Sequence, residues 1–226
     1  MRLRIFLAVT GIILVGLFFI FTLIVRTDVL RGIDFNMTVK IQDRLPQMSY
    51  KYLQFITEIA KFQIITILLV AVFLAGRQWF QTIAALGLWG GAHVLELVGK
   101  YMLNQPPPPF MFYKVPTDTW FPQDYVTEGN SYPSGHSMRA IFFAFIVTAF
   151  IFSSKKIPQA IKYGLTLSVA AFSILVGLGK VALGQHWTTD IIAGGFLGAG
   201  CALITIALCN LSFFKHNLQL KSSHSR

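Results

Sequence analysis

Charge is scarce in this chain. Asp, Glu, Lys and Arg make up 12% of its 226 residues while 54% are hydrophobic, which excludes an ordinary soluble domain, where about a quarter of residues are charged. Acidic residues are scarcer still, nine against 19 Lys and Arg. The resulting net charge of +10 could suit nucleic acid, but the basic residues are scattered over the ends of apolar segments with no continuous basic stripe. No nucleic-acid partner is therefore expected, and anionic lipid headgroups of a bilayer are the better match. Cysteine is limited to Cys201 and Cys209. Neither stands in a CxxC or His-rich context, and both fall inside an apolar run, so they read as small core residues. No internal repeat or low-complexity stretch stands out, and a single integral membrane domain over residues 1–226 accounts for the whole.

What the chain does have is long apolar runs. The first, Ile5 to Val25, exceeds the ~7–15 residues of a signal-peptide core and has no clear small-x-small cleavage site, so it reads as a retained span. Runs of roughly 20 residues, the length that crosses a hydrocarbon core, fall at about 5–25, 57–76, 80–103, 137–153, 162–183 and 187–212. The expected fold is all-α, a polytopic membrane bundle of six transmembrane helices. Between the first two runs, Arg26 to Tyr52 mixes charges with Val29, Leu30, Ile33, Phe35, Val39, Ile41 and Leu45, a pattern suited to an interfacial helical segment that roofs one side of the bundle. The proline- and aromatic-rich stretch 104–136 reads as an ordered loop at headgroup level, with Trp120, Phe121 and Tyr125 near the interface.

Orientation follows from the short connections. With the N-terminus inside, the cytoplasmic pieces carry Arg2, Arg4, Arg77, Lys155, Lys156, Lys162, Lys215, Lys221 and Arg226 and no acid, which places loop 104–136 and the 180–187 connection outside.

Three polar clusters interrupt this apolar background. His93, Glu96 and Lys100 are spaced i, i+3, i+7, one face of the third run. Charges at such depth face a cavity or one another; contacts between helices explain His93 and Glu96 equally well, whereas Lys100 stands at the mouth. The second cluster is "PSGH", Pro133 to His136, at the start of the fourth run. A helix start exposes unpaired N–H groups that attract anions, Gly135 would let a phosphate approach the backbone, and Ser134 also suits a plain N-cap. Arg139 follows His136 by one turn. It either clamps an anion or extends toward headgroups. The third is "GKVALGQHWTTDIIAG", where Asp190 lies four residues after His186 and can hold one imidazole nitrogen while leaving the other free; Lys180 lies at the same membrane face.

These blocks resemble the type 2 phosphatidic acid phosphatase superfamily, whose motifs read K-x6-R-P, P-S-G-H and S-R-x5-H-x3-D. The second matches fully at Pro133 to His136. The third matches at His186 and Asp190, with Gly179-Lys180 in place of Ser-Arg. The first keeps Lys100 and Pro108, with Pro107 where arginine is expected.

The resemblance implies metal-independent phosphoryl transfer on a membrane lipid phosphate, with no cofactor. His186 would attack phosphorus, Asp190 would support its ring, and His136 would protonate the leaving oxygen. Lys100, Lys180, Ser134 and the Gly135 amide would hold the phosphate oxygens. Two guanidiniums that would grip phosphate in bidentate fashion are absent, and lysine replaces them only as a point charge. Arg139 is the expected substitute, ahead of Lys114. A non-catalytic lipid-phosphate binder of the same fold is the alternative, although binding alone needs no pair of histidines. A vanadium-dependent haloperoxidase shares the blocks but fits neither the membrane spans nor the missing arginines.

Overall fold

The computed structural model describes residues 1–75, 79–115 and 130–209, and among them every regular element is helical. In chain order these are α1 (Arg2–Val25), α2 (Arg31–Arg44), α3 (Ser49–Ile59), α4 (Phe62–Ala75), α5 (Trp79–Met102), a 3-10 turn (Phe110–Phe112), α6 (Gly135–Ser153), α7 (Gln159–Ala182) and α8 (Thr188–Leu208). Five are long and apolar enough to cross a membrane: α1, Gln81–Met102 of α5, α6, α7 and α8. At 24 residues, α1 and α7 reach about 36 Å at ~1.5 Å per residue, against a hydrocarbon core of ~30 Å. Large side chains on their outer faces, such as Ile12, Ile20, Leu167 and Ile174, are exposed, as a lipid-facing surface requires. Cys201 and Cys209 are buried and unpaired.

Where a single run at 57–76 was expected, α3 and α4 are bent by 54° at a break over residues 60–61, and only the two together reach spanning length and apolarity. The expected run included Lys61, which cannot sit in lipid unpaired; here it turns back onto Glu58, Nζ to Oε2 2.5 Å, and the bend keeps both charges at one end of the bundle. Residues 76–78, the loop 116–129 with Trp120, Phe121 and Tyr125, and everything after 209 lie outside the described residues. So do the expected end of the last span at 212 and the charges Arg77, Lys215, Lys221 and Arg226.

Helix α8 is the central post. Helix α1 runs antiparallel to it: Arg4 Nε donates to Ala207 O at 2.9 Å, while Phe21 meets Phe196. Helix α6 runs parallel to α8. The two touch backbone to backbone at Gly194 and Gly198, where a Cβ would lie 3.1 Å from Ser137 Cβ and 3.0 Å from Met138 Cα. Small residues permit this approach, and in a membrane such packing replaces the hydrophobic drive between helices. Helix α7 returns antiparallel. The starts of α6 and α8 and the ends of α1, α5 and α7 therefore gather at one end of the bundle, opposite Arg2, Arg4, Lys155 and Lys156.

Helix α2 supplies the helical segment expected between the first two spans. Its Asp34, Thr38 and Gln42, spaced i, i+4, i+8, are buried while Ile33, Phe35 and Met37 are exposed. The buried stripe faces polar backbone: Gln42 Nε2 donates to Phe112 O at 2.7 Å and Ala182 O at 2.9 Å.

Candidate active site

Local chemistry sets each part of this helix-end cluster. Helix α7 stops where Gly184 takes φ +72°, a left-handed turn that glycine adopts without strain. The turn brings the amides of Gln185 and His186 back onto Lys180 O, at 3.0 and 3.2 Å. That places His186 just before α8 and not on its first turn. Its Nδ1 lies 3.3 Å from Asp190 Oδ2, which also accepts from Trp187 N at 2.9 Å. Asp190 is fully buried.

Helix α6 starts on Ser134, whose side chain accepts from Ser137 N at 3.4 Å and whose own N–H donates to Asp190 O at 3.0 Å. Its hydroxyl oxygen is thus engaged in capping. Space beside Gly135 is filled from within the protein: a Cβ there would meet the Glu96 carboxylate, with Arg139 Nη1 at 3.0 Å. The preceding Tyr132 is held by α1, its hydroxyl 2.7 Å from Thr22 Oγ1 and its ring stacked on Phe18.

The two imidazoles face each other with ring centroids 6.4 Å apart, and their partners assign them opposite tautomers. A carboxylate only accepts, so His186 carries its proton on Nδ1 and keeps the Nε2 lone pair. At His136 the partner of Nδ1 is Arg139 Nη2, at 3.4 Å. A guanidinium only donates, so the neutral His136 ring holds its proton on Nε2, a buried atom with no hydrogen-bond partner among the described residues.

Arg139 is 3% exposed and does not extend toward headgroups. Its Nε donates to Ala60 O at 3.0 Å, one of the carbonyls that the break after α3 leaves without a helical partner. Its Nη1 lies 3.9 Å from Glu96 Oε2, and that carboxylate is 2.9 Å from His93 Nδ1. The α5 stripe therefore divides: His93 and Glu96 buttress Arg139, while Lys100 Nζ reaches Pro133 O at 3.3 Å. Lys180 Nζ donates to Gln185 Oε1 at 2.7 Å. The structure brings His136, His186, Asp190, Ser134, Gly135, Lys100, Lys180 and Arg139 to this one end. Lys114 is exposed beside it, its N–H on Leu183 O. Pro107 stands where the absent arginine would be, in a loop pinned by Trp187 Nε1 donating to Pro106 O at 2.9 Å.

Sequence reasoning passed over Gln185, Gln42 and above all Asp34. From α2, Asp34 accepts from Thr189 N at 2.9 Å and Thr189 Oγ1 at 2.7 Å, so it caps α8 from another helix. Burial pushes its carboxyl up, and the Thr189 hydrogen bonds pull it back. The i, i+4, i+8 polar spacing of Asp34, Thr38 and Gln42 was the available signal.

Fold and cluster define a polytopic membrane protein that presents two opposed histidines among lysines at one end of its bundle. Comparisons with known proteins place it further. The profile of the PAP2 superfamily matches residues 78–213, and the chain belongs to that superfamily. Mouse phospholipid phosphatase 1 is 27% identical over 135 residues, 52% of this chain and 47% of that protein. Phosphatidylglycerophosphatase B of Bacillus subtilis is 36% identical over 70 residues, 30% of this chain and 34% of that protein. The matches thus span half or less of these relatives. A solved transmembrane PAP2-type phosphatidylglycerolphosphate phosphatase of B. subtilis shares the fold with a TM-score of 0.72 at 20% identity, over 92% of this chain and 98% of that one. Aquifex aeolicus LpxE shares it at 0.58 and 17%, over 77% and 94%.

Asp34→Ala removes both bonds to the start of α8 and should cost about 1 kcal/mol or more of stability, the usual range for a lost helix cap. Thermal unfolding in detergent measures it. Asp34→Asn, which keeps one acceptor, should fall between wild type and Ala, and an unchanged melting temperature for Asp34→Ala would refute the capping role.

Proposed function

We propose that this protein is an integral membrane lipid phosphatase or diphosphatase that works through a phosphohistidine. One observation carries the reading: two imidazoles 6.4 Å apart whose partners leave one with an Nε2 lone pair and the other with an Nε2 proton. Membership of the superfamily and the phosphatase names of both curated relatives support it. His186 Nε2 attacks phosphorus while Asp190 holds its Nδ1 proton. The lipid oxygen leaves with a proton from His136. Lys100, Lys180 and the Gly135 amide, with the Ser134 hydroxyl hydrogen, neutralise the charge spread over the phosphoryl oxygens.

Arg139 acts in the same step. An arriving phosphate draws its guanidinium from His136 Nδ1, which takes up a proton; the ring is then an imidazolium that can give its Nε2 proton and remain neutral. A water molecule next attacks the phosphohistidine, returns one proton to His136 and releases phosphate. Undecaprenyl diphosphate, phosphatidylglycerophosphate and phosphatidic acid are the substrates to be compared. The basic residues Arg2, Arg4, Lys155 and Lys156 at the end opposite the histidines support an outward-facing site, in the cytoplasmic membrane of a bacterium.

Purified protein given these lipids in detergent should release phosphate, and His186→Ala should abolish release and acid-labile phosphate on the protein. His136→Ala should lose more on an alkyl than on an aryl phosphate, because an aryl leaving group needs less protonation. Lipid-phosphate binding without any release by wild type would leave a binding protein instead.

Arg139→Lys keeps the charge but loses the planar fork, and should lower turnover on the order of 10²–10³-fold, as loss of one preorganised donor does. Near-normal turnover by that variant sinks the role given to Arg139.

The pH dependence has a defined sign. His186 lies between α7 and α8, and burial holds its imidazole below the ordinary 6.5; Asp190 pulls it up, and the charges of Lys100 and Lys180 lower it further. Attack needs the unprotonated ring, so kcat/KM should persist at pH 6.5 and fall only below it. Asp190→Asn removes the upward pull and should move the residual acid limb lower still; an acid limb centred above 6.5 refutes this assignment.

A further inference from the structure

A groove of about 790 Å³ runs between α6, α7 and α8, within the ~300–1,000 Å³ of small-molecule sites. One end is lined by Ser137 and Thr188, the former following His136 and the latter two residues after His186. The other end reaches Thr148 of α6, Thr166 of α7 and Ala199 of α8. From Ser137 to Thr148 the groove descends about 17 Å at ~1.5 Å per residue, more than half of a ~30 Å hydrocarbon core.

Three features separate it from the ordinary surface that any membrane helix shows to lipid. Its floor is closed by direct helix contact: Ser173 Oγ shares its hydrogen between Ala140 O at 3.1 Å and Val169 O at 3.0 Å, and Ser137 Oγ donates to Ile191 O at 2.9 Å. The bonds to Ala140 and Ile191 join α7 to α6 and α6 to α8, and they turn both hydroxyl hydrogens out of the groove. Glycines keep the walls near: a Cβ on Gly177 would stand 2.9 Å from Ile191 Cγ2 and one on Gly195 3.3 Å from Ile141 Cδ1. Finally, Met37 and Ile41 of α2 line its wall, on the helix whose Asp34 and Gln42 grip the start of α8 and the end of α7. Helix α2 thus lies where the groove meets the histidine end.

Resting on the reading of the site as a lipid phosphatase, we propose that this groove holds one hydrocarbon chain of the substrate, so that α6, α7 and α8 bind the tail along their length and the phosphate at their ends. The substrate class is a phosphate or diphosphate on a long apolar chain. Chain length is sensed by how much of the groove is filled, since each buried methylene adds to binding.

The test compares hexadecyl phosphate with butyl phosphate on wild type, Ala144→Trp at mid-groove and Ala199→Trp at its far end. Wild type should prefer the long chain. Ala144→Trp should lower kcat/KM on hexadecyl phosphate ~10-fold or more while leaving butyl phosphate within about twofold, the scale on which an apolar pocket discriminates. Ala199→Trp should do the same less severely. Equal losses on both substrates, or no loss on either, overturn the groove as tail site. Silence of wild type on both would instead remove the phosphatase reading, and a second measurement then decides the groove alone. A hexadecyl phosphate bearing a diazirine at its far end should label α6, α7 and α8 around Ala199 in wild type and lose that labelling in Ala144→Trp. Labelling spread evenly over lipid-facing positions such as Ile12 and Ile20 of α1 overturns the proposal.

Discussion

The carboxylate of Asp190 is the constraint around which the histidine end is arranged. A fully buried charge costs several kcal/mol unless hydrogen bonds replace its lost water. Asp190 answers that demand on one oxygen, Oδ2, which takes the Trp187 amide and the His186 ring, while Oδ1 is buried with no hydrogen-bond partner among the described residues. Its backbone oxygen takes Ser134 N–H from α6. A single residue thereby fixes the entry into α8, the tautomer of one histidine and the distance to the helix that carries the other. The glycine contacts between α6 and α8 make this geometry possible, because larger residues would separate the backbones that Asp190 bridges.

Around that bond the chain departs from the motif pattern of its superfamily in a connected way. Where a serine would precede the third-motif cation, Gly179 stands against α3, with Thr57 Cγ2 2.8 Å from the position of a Cβ. The cation itself is Lys180, held by Gln185. Arg139, proposed above to stand in for the guanidinium missing from the first motif, arrives from α6 and is supported by Glu96, His93 and the carbonyl freed at the α3–α4 break. A lysine could not make these contacts together, since it lacks the planar fork. The break in the second span and the buried charges on α5 are thus parts of one arrangement.

Much of this was legible in the chain itself. Apolar runs of membrane-spanning length are a one-dimensional signal, because the bilayer imposes a fixed thickness on each helix separately. The paired histidines, Asp190 and the lysines were legible as motifs, because capping and i, i+4 pairing act within one helix turn. Ser134 and Gly135 were read less completely. Their types suggested an anion site, whereas the Ser134 oxygen caps α6 and the room beside Gly135 belongs to Glu96.

By itself, then, the sequence determined the membrane class, the existence and approximate place of five of the spans and the identity of the polar groups at one end, all matters of local composition and short spacing. The tertiary structure alone decided that the remaining span breaks at Ala60 and Lys61, that α2 buries its polar stripe, that Asp34 caps a helix 155 residues away, and that Arg139 turns inward. Each of these depends on where a distant backbone carbonyl or amide lies. A buried polar atom takes whichever partner the packed helices bring within about 3 Å, and no spacing along the chain records that meeting.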